Sequence, residues 1–290
     1  MLTKKLGRRR TRRLKKQFLK VKWINVLLVI IAFICIITTI ISFKNIFSWH
    51  EENIITNVQL EKIDQISNVE IIEDNENTEI IEQEKKPPKA NPYWDYIKMD
   101  MISVDFTELK KVNPHTGGWI QVNGTNINYP FVQTKNNDYY LTHSFDKSYN
   151  KAGWVFLDYR NNSTITDDNT IIYAHSRLDK TMFGSLKNIL KNGWLKNTDN
   201  HVIKISTETE NTLWQVFSVY HIPETSDYIK TNFSSRNNFN TFTQMLIDRS
   251  AYNFKTTVSE NDKILTLSTC YGEDERMVVH AKLIKRETKK

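Results

Sequence analysis

Hydrophobicity along the chain changes character three times. From Trp23 to Phe43 run 21 residues without a charge, bounded by Lys22 and Lys44. As a helix at about 1.5 Å per residue this stretch spans roughly 30 Å, the thickness of a bilayer core. A cleaved signal peptide would have a shorter apolar run ending in small residues. Here Lys44-Asn45-Ile46-Phe47-Ser48-Trp49 follows, with no Ala-x-Ala-like site, and an uncleaved signal anchor is the expectation. Residues 44–90 then alternate acidic and amide residues with isoleucine pairs (Ile54-Ile55, Ile71-Ile72, Ile80-Ile81) that follow neither a heptad nor strict alternation. They predict an extracellular stalk, helical in part, closed by Pro87-Pro88.

From residue 91 to 290 the pattern is mostly that of short strands. Asn91-Pro92 opens a predicted helix through Met99, with Tyr93, Trp94, Ile97 and Met101 on or near one face and Phe106 and Leu109 in a continuation or second turn. Gly118–Val122 and Thr125–Tyr129 flank Asn123-Gly124, a hairpin signal. Further strands are predicted at Trp154–Asp158, Thr170–Ala174, Val202–Ser206, Thr212–Tyr220, Lys263–Thr269 and Met277–Ile284. Met182–Leu190 and Phe239–Arg249 carry apolar residues at helical spacing. About eight strands with few helices point to a mainly β fold, a closed antiparallel or mixed barrel.

Charge changes the reading at the N-terminus. Eleven of the 40 Lys and Arg fall in residues 1–22, which contain no Asp or Glu, so the other 29 face all 33 acidic residues and the rest of the chain is net negative. A nucleic-acid-binding domain would carry its basic surface on the fold itself, so no nucleic-acid partner is expected. Basic residues stay on the cytoplasmic side. The expectation is a cytoplasmic tail at 1–22, a single membrane span at 23–43 and an exported body at 91–290.

Two cysteines occur, Cys35 in the apolar run and Cys270 at the end of a strand, and a disulfide between them is implausible with the first in lipid. Ile264-Leu265-Thr266-Leu267-Ser268-Thr269-Cys270 leads into the polar turn Tyr271-Gly272-Glu273-Asp274-Glu275, a placement suited to a nucleophilic thiol as well as to a small buried residue. Of seven histidines, His175 follows the apolar strand Thr170–Ala174, and His143 in Tyr139-Tyr140-Leu141-Thr142-His143 is its rival. Arg276 opens the last strand, where a hairpin would hold it beside the thiol. Arginine cannot act as a base but can donate to an oxyanion or a substrate carbonyl. No metal-spaced His/Cys cluster and no phosphate-binding glycine loop occurs, and no cofactor is expected.

Together these residues carry a resemblance. Thr266-Leu267-Ser268-Thr269-Cys270 resembles the TLxTC signature of sortases, cysteine transpeptidases of Gram-positive bacteria, in the form common in class B. Gly118–Pro130, Asp138-Tyr139-Tyr140-Leu141, Phe156-Leu157-Asp158-Tyr159-Arg160, and Ile172-Tyr173-Ala174-His175 followed by Met182-Phe183-Gly184-Ser185-Leu186 resemble further class B blocks in the same order, over residues 92–286. The loop from Cys270 to Arg276 is short for the class, and Ala174 stands where Gly often precedes the histidine. The resemblance implies a closed eight-stranded barrel with an N-terminal helix and an additional helix before the Cys270 strand. It implies Cys270 as nucleophile, His175 as acid/base, Arg276 as oxyanion or substrate stabiliser, and Ser268 and Thr269 lining the site.

The implied function is cleavage of a C-terminal sorting pentapeptide in secreted proteins through a thioacyl-enzyme, which is then joined to an amine of a peptidoglycan precursor or cross-bridge. The competing readings are a membrane-tethered cysteine peptidase that uses water as acceptor, and a non-catalytic wall-binding module.

Overall fold

The computed structural model describes residues 23–73, 79–80, 93–271 and 274–289. By its internal contacts the chain divides into two compact units, Met1–Ile54 and Ile55–Lys290. The described part of the first unit belongs to helix α1, Trp23–Ile66, whose apolar side chains from Trp23 to Phe43 stand exposed. Among the described residues this is the one helix long and apolar enough to cross a membrane. It runs well past Phe43 because residues 44–66 contain neither Gly nor Pro to interrupt it.

The second unit begins earlier in the chain than the stalk expectation placed it. Thr56, Gln59 and Ile63, spaced three and four apart on one face of α1, are buried. Gln59 Nε2 donates to Asp146 Oδ2 at 2.6 Å, and Asn150 Nδ2 donates to Thr56 Oγ1 at 3.0 Å. Strand β1, Asn68–Ile72, pairs antiparallel with β3, Met101–Asp105. Between them in the chain lies β2, Glu79–Ile80. Residues 55–72 therefore pack as part of the body. Pro87-Pro88 and Asn91-Pro92 lie outside the described residues.

The helix expected to reach Met99 is a single turn, α2 at Tyr93–Tyr96, and Met101 belongs to β3. Tyr96 and Ile97 are buried with Met101, Val202, Leu213 and Ile284, and the chain turns after Tyr96 to enter β3, which pairs with β1 from Met101 onward. Phe106 and Leu109 accompany a separate helix, α3 (Thr107–Val112), at whose start Asp105 Oδ1 accepts from the Thr107 N–H at 2.9 Å.

Among the described residues eight strands form the barrel: β4 (Thr116–Val122), β5 (Asn128–Val132), β6 (Phe156–Leu157), β7 (Asn169–Tyr173), β8 (Val202–Ser206), β9 (Glu210–Pro223), β10 (Ile264–Tyr271) and β11 (Glu275–Thr288). Around the barrel the order is β4-β5-β6-β7-β10-β11-β9-β8, and the β4–β8 pairing closes it. The β5–β6 and β7–β10 pairs are parallel, the others antiparallel. β2 pairs with Lys285 and Arg286 near the end of β11, beyond the part of β11 paired with β10. Inward residues such as Ile120, Phe131, Ile172, Trp214, Leu265 and Val279 fill the core.

The β4–β5 hairpin turns at Asn123-Gly124, with Gly124 at φ +69°, but its loop is longer than two residues. Val122 N donates to Ile127 O at 3.0 Å and Thr125 N to Val122 O at 3.3 Å. The segment expected as a helix near Met182–Leu190 is a 3-10 turn, Gly184–Asn188. Its buried residues Phe183, Leu186 and Ile189 recur every three positions, which suits a 3-10 turn. Met182 at φ +51° keeps an α-helix from starting there. After a short helix α4 (Asn192–Lys196), the helix expected before the Cys270 strand is present as α5, Arg236–Asp248. The Ser235 side chain caps α5, and Phe239, Phe242 and Leu246 pack on Phe217, Ile264 and Val278 on the outer wall of the barrel.

Candidate active site

β10 carries Ser268, Thr269 and Cys270 near its C-terminal end. Its parallel ladder with β7 ends at Ser268 opposite Tyr173. Beyond that point Thr269 Oγ1 donates to Ala174 O at 2.7 Å, so the two strand ends stay joined. Carried on in the same register, Cys270 comes alongside His175. On its other side β10 pairs with β11, and Cys270 stands directly opposite Arg276. Side chains of directly opposed residues share a face, with Cβ atoms about 4.5–5.5 Å apart. Cys270, His175 and Arg276 line one cleft of 680 Å³, together with Ser268 and Thr269.

Cys270 is half-buried and forms no disulfide. His175 Nε2 lies 2.8 Å from Leu141 O. A carbonyl can only accept, so Nε2 carries the proton and Nδ1 is left for proton exchange. Gly153 closes the back of this arrangement. It has φ +61°, and a Cβ on it would lie 2.5 Å from Tyr140 O and 3.0 Å from both Leu141 O and His175 Cδ2. The position admits only glycine on conformation and on space.

Arg276 is mostly buried. Its NH2 is 2.6 Å from Glu224 Oε1, and its NH1 donates to the Glu275 carbonyl at 3.2 Å. Tyr228, buried on the opposite wall, shares a 2.9 Å hydrogen bond with Ser268 Oγ. Burial pushes its phenol above the ordinary range, so Tyr228 stays a neutral hydroxyl. Beneath Tyr173 sits the fully buried Asp158, which accepts from Arg160 through both oxygens, from Tyr173 OH at 3.0 Å and from Asn137 Nδ2 at 3.1 Å. Burial alone would raise the Asp158 carboxyl, but these donors hold it below its usual value. Arg160 NH2 also donates to Ile229 O at 3.0 Å and ties this network to the Tyr228 wall.

The rival histidine is placed elsewhere. His143 stacks on Tyr139 at 4.0 Å between ring centroids, its Nδ1 is 2.8 Å from Tyr139 O, and it does not line the cleft. His201 and His280 are buried in the core. Gly153, Glu224, Tyr228 and the Leu141 carbonyl are site residues that sequence reasoning does not single out. The scarcity of glycine, eight in the chain, is a usable signal for Gly153. Glu224 and Tyr228 lie in a polar connection that carries none. Among the described residues no group of three or more His, Cys, Asp or Glu is arranged to hold a metal ion.

A thiol, an imidazole with one nitrogen available and a guanidinium on one rim are the parts needed for acyl transfer through a thioester. Comparison with known proteins agrees with that chemistry. The family profile of the sortase domain matches residues 120–284. A curated relative, sortase B of Listeria monocytogenes, is 35% identical over 184 residues, covering 62% of this chain and 74% of that protein. A crystal structure of a Bacillus anthracis protein similar to sortase B shares 34% identity and superposes with a TM-score of 0.62, covering 82% of this chain and 98% of its own. A crystal structure of sortase B complexed with triglycine shares 34% identity with a TM-score of 0.58, covering 62% and 85%.

Proposed function

The chain belongs to the sortase family as a class B sortase, a cysteine transpeptidase, and on that premise we propose that Cys270 is its nucleophile, His175 its acid/base and Arg276 its oxyanion donor. The observation that carries the assignment is the pair of ladders that flank Cys270, with Arg276 opposite it on β11 and the Thr269–Ala174 bond holding the His175 end of β7 beside it. Ser268 and Thr269 then line the site, Thr269 as a strut between the strand ends and Ser268 as the anchor of the Tyr228 wall.

The Cys270 thiolate attacks the carbonyl carbon of the scissile peptide, and the negative charge passes to the carbonyl oxygen, where Arg276 donates to it. As the C–N bond breaks, protonated His175 gives its proton to the departing amine. A thioester remains on Cys270. An incoming amine then attacks it, His175 takes up the amine proton, and the new amide leaves with the thiolate restored. Thioester energy drives the second half, so no nucleotide is consumed. The substrate is a sorting pentapeptide near the C-terminus of secreted proteins, and the acceptor an amine of a peptidoglycan precursor or cross-bridge. The glycine peptide bound to the related sortase B supports an oligoglycine as the first acceptor to try.

Residues 1–22 are a cytoplasmic basic tail, Trp23–Phe43 the single membrane span, and the body lies outside. The apolar exposed face of α1 and the clustering of Lys and Arg before it support this arrangement.

The test is turnover of fluorogenic sorting pentapeptides by the full chain in detergent, with mass analysis of products with and without triglycine. The expected result is an amide to glycine when triglycine is present, lost in Cys270→Ala and His175→Ala. Free acid as the sole product at saturating triglycine would favour a peptidase. Full activity of His175→Ala with loss in His143→Ala would overturn the histidine assignment.

A further inference from the structure

We propose that Glu224 is a positioning residue for Arg276, holding the outer edge of its guanidinium so that the remaining donors face the reacting carbonyl. The proposal rests on the assignment of Arg276 as oxyanion donor. Arginine reaches its guanidinium through four rotatable bonds and, on the rim of an open cleft, has many rotamers to lose. Two contacts restrict it here: Glu224 Oε1 at 2.6 Å from NH2 and the Glu275 carbonyl at 3.2 Å from NH1. Of five N–H donors in a planar fork, these leave the rest to an oxyanion or a peptide carbonyl.

The asymmetry of the pair shows which partner serves the other. The Arg276 side chain is 21% exposed and the Glu224 side chain 67%. An exposed surface ion pair adds little to folding. The Glu224 backbone is held independently, its N–H donating to Asp274 O at 2.9 Å just past the end of β9. Truncating the side chain therefore leaves the wall in place. What the carboxylate does is fix an arginine that would otherwise sample the cleft. Glu224 and Arg276 both line the cleft with Cys270, and both charges act on the Tyr228 phenol, which places them in one electrostatic neighbourhood.

The experiment uses the full chain in detergent with a fluorogenic sorting pentapeptide and triglycine. Four variants are compared with wild type: Glu224→Ala, Glu224→Gln, Arg276→Ala and the double Glu224→Ala/Arg276→Ala. A fork left unheld loses part of what an oxyanion donor supplies, so Glu224→Ala should lower kcat about tenfold with KM within about twofold. Glu224→Gln keeps an acceptor for the fork and should recover to within about threefold of wild type. Melting temperatures should agree within about 2 °C. In the Arg276→Ala background the Glu224→Ala change should alter residual turnover by less than about twofold, because residues acting as one unit are not additive. Wild-type kcat in Glu224→Ala beside a dead Arg276→Ala overturns the proposal alone. So does a rise in KM at unchanged kcat, which would make Glu224 a substrate contact, or an equal loss in both backgrounds. Near-normal turnover of Arg276→Ala removes the assignment on which the proposal stands, and the proposal with it.

Discussion

Gly153→Ala isolates the support of His175, the proposed acid/base, from the imidazole itself. Gly153 sits at φ +61°, and a left-handed conformation costs an alanine about 1–2 kcal/mol. The added methyl would also lie 2.5 Å from Tyr140 O, so that carbonyl must move. Tyr140 O accepts from the Trp154 N–H at 2.9 Å, and weakening that bond adds roughly 0.5–1.5 kcal/mol. The total is about 1.5–3.5 kcal/mol, which in a unit of this size lowers the melting temperature by about 3–14 °C. The effect on catalysis should be of similar size in free energy. The same methyl would stand 3.0 Å from His175 Cδ2 and 3.0 Å from Leu141 O, the acceptor that fixes the ring. A displacement of about 1 Å in a catalytic group can cost on the order of 10²-fold in rate.

The assay is kcat at a temperature where both proteins are folded, with iodoacetamide labelling to show that the Cys270 thiol persists. Gly193→Ala is the internal control, because nothing lies within 4 Å of its added Cβ and it sits in α4. The control should match wild type or exceed it slightly in melting temperature. Gly153→Ala with turnover within about threefold of wild type and an unchanged melting temperature would refute the account of how His175 is held.

Arg276→Lys should lose about a hundredfold in kcat, because a single ammonium cannot serve Glu224 and an oxyanion with the geometry of a planar fork. Near-normal turnover would show that only the charge matters. A body fragment that starts at Asn91 lacks β1 and the buried Thr56, Gln59 and Ile63. Its melting temperature should fall at least about 5 °C below that of a fragment starting at Ile55, and equal melting temperatures would refute the packing role of those residues. Burial pushes the His280 imidazole down to about 3, with the nearby Arg249 charge adding to the effect. The unfolded chain takes up that proton below about 6.5 while the folded chain does not, so stability is full above that pH and falls as pH drops toward 3. Between pH 7.5 and 5 the loss is about 2 kcal/mol. Denaturant midpoints of wild type and His280→Gln at pH 7.5 and 5.0 should converge at the acid pH, and a difference independent of pH would refute the assignment.

What was legible in the sequence was local. Short apolar strands, such as Val202–Ser206 and Met277–Ile284, lie where the sequence puts them, and Phe239–Arg249 is largely helical because its apolar residues recur at a helical period and Ser235 caps the helix. The Cys270 motif is compact and ends a strand, so it could be read without knowledge of its neighbours. Long-range pairing could not be read this way. Residues 68–72 look like linker until β3 supplies a partner, with Met101 opposite Ile72 and Asp105 opposite Asn68. At Met182–Leu190, apolar spacing was legible, but a positive φ at Met182 and the packing of Phe183, Leu186 and Ile189 decided for a tighter turn. Glu224 and Tyr228 come from a connection whose side chains acquire meaning only from Arg276 and Ser268 across the cleft.

The placement of Cys270, His175 and Arg276, the proposed reactive groups, follows from strand direction. β10 is bounded by a parallel neighbour and an antiparallel one. A parallel pair brings C-terminal ends to the same rim, so the residues just beyond Tyr173 on β7 and Ser268 on β10 emerge together. An antiparallel β7 would have set its end opposite Ile264, about 20 Å from Cys270 at about 3.3 Å per residue. The antiparallel β11 returns directly and sets Arg276 opposite Cys270. Hydrogen-bonded ladders thus fix thiol and guanidinium, and the Thr269–Ala174 bond extends that rigidity to the segment carrying His175. The cleft walls around them come from connections: Leu141 from the segment after β5, and Glu224, Tyr228 and Ile229 from the one after β9. Connections tolerate change more readily than barrel strands. The proposed reacting groups thus stand on or beside barrel strands, while the surrounding walls come from connections that can change without moving those strands.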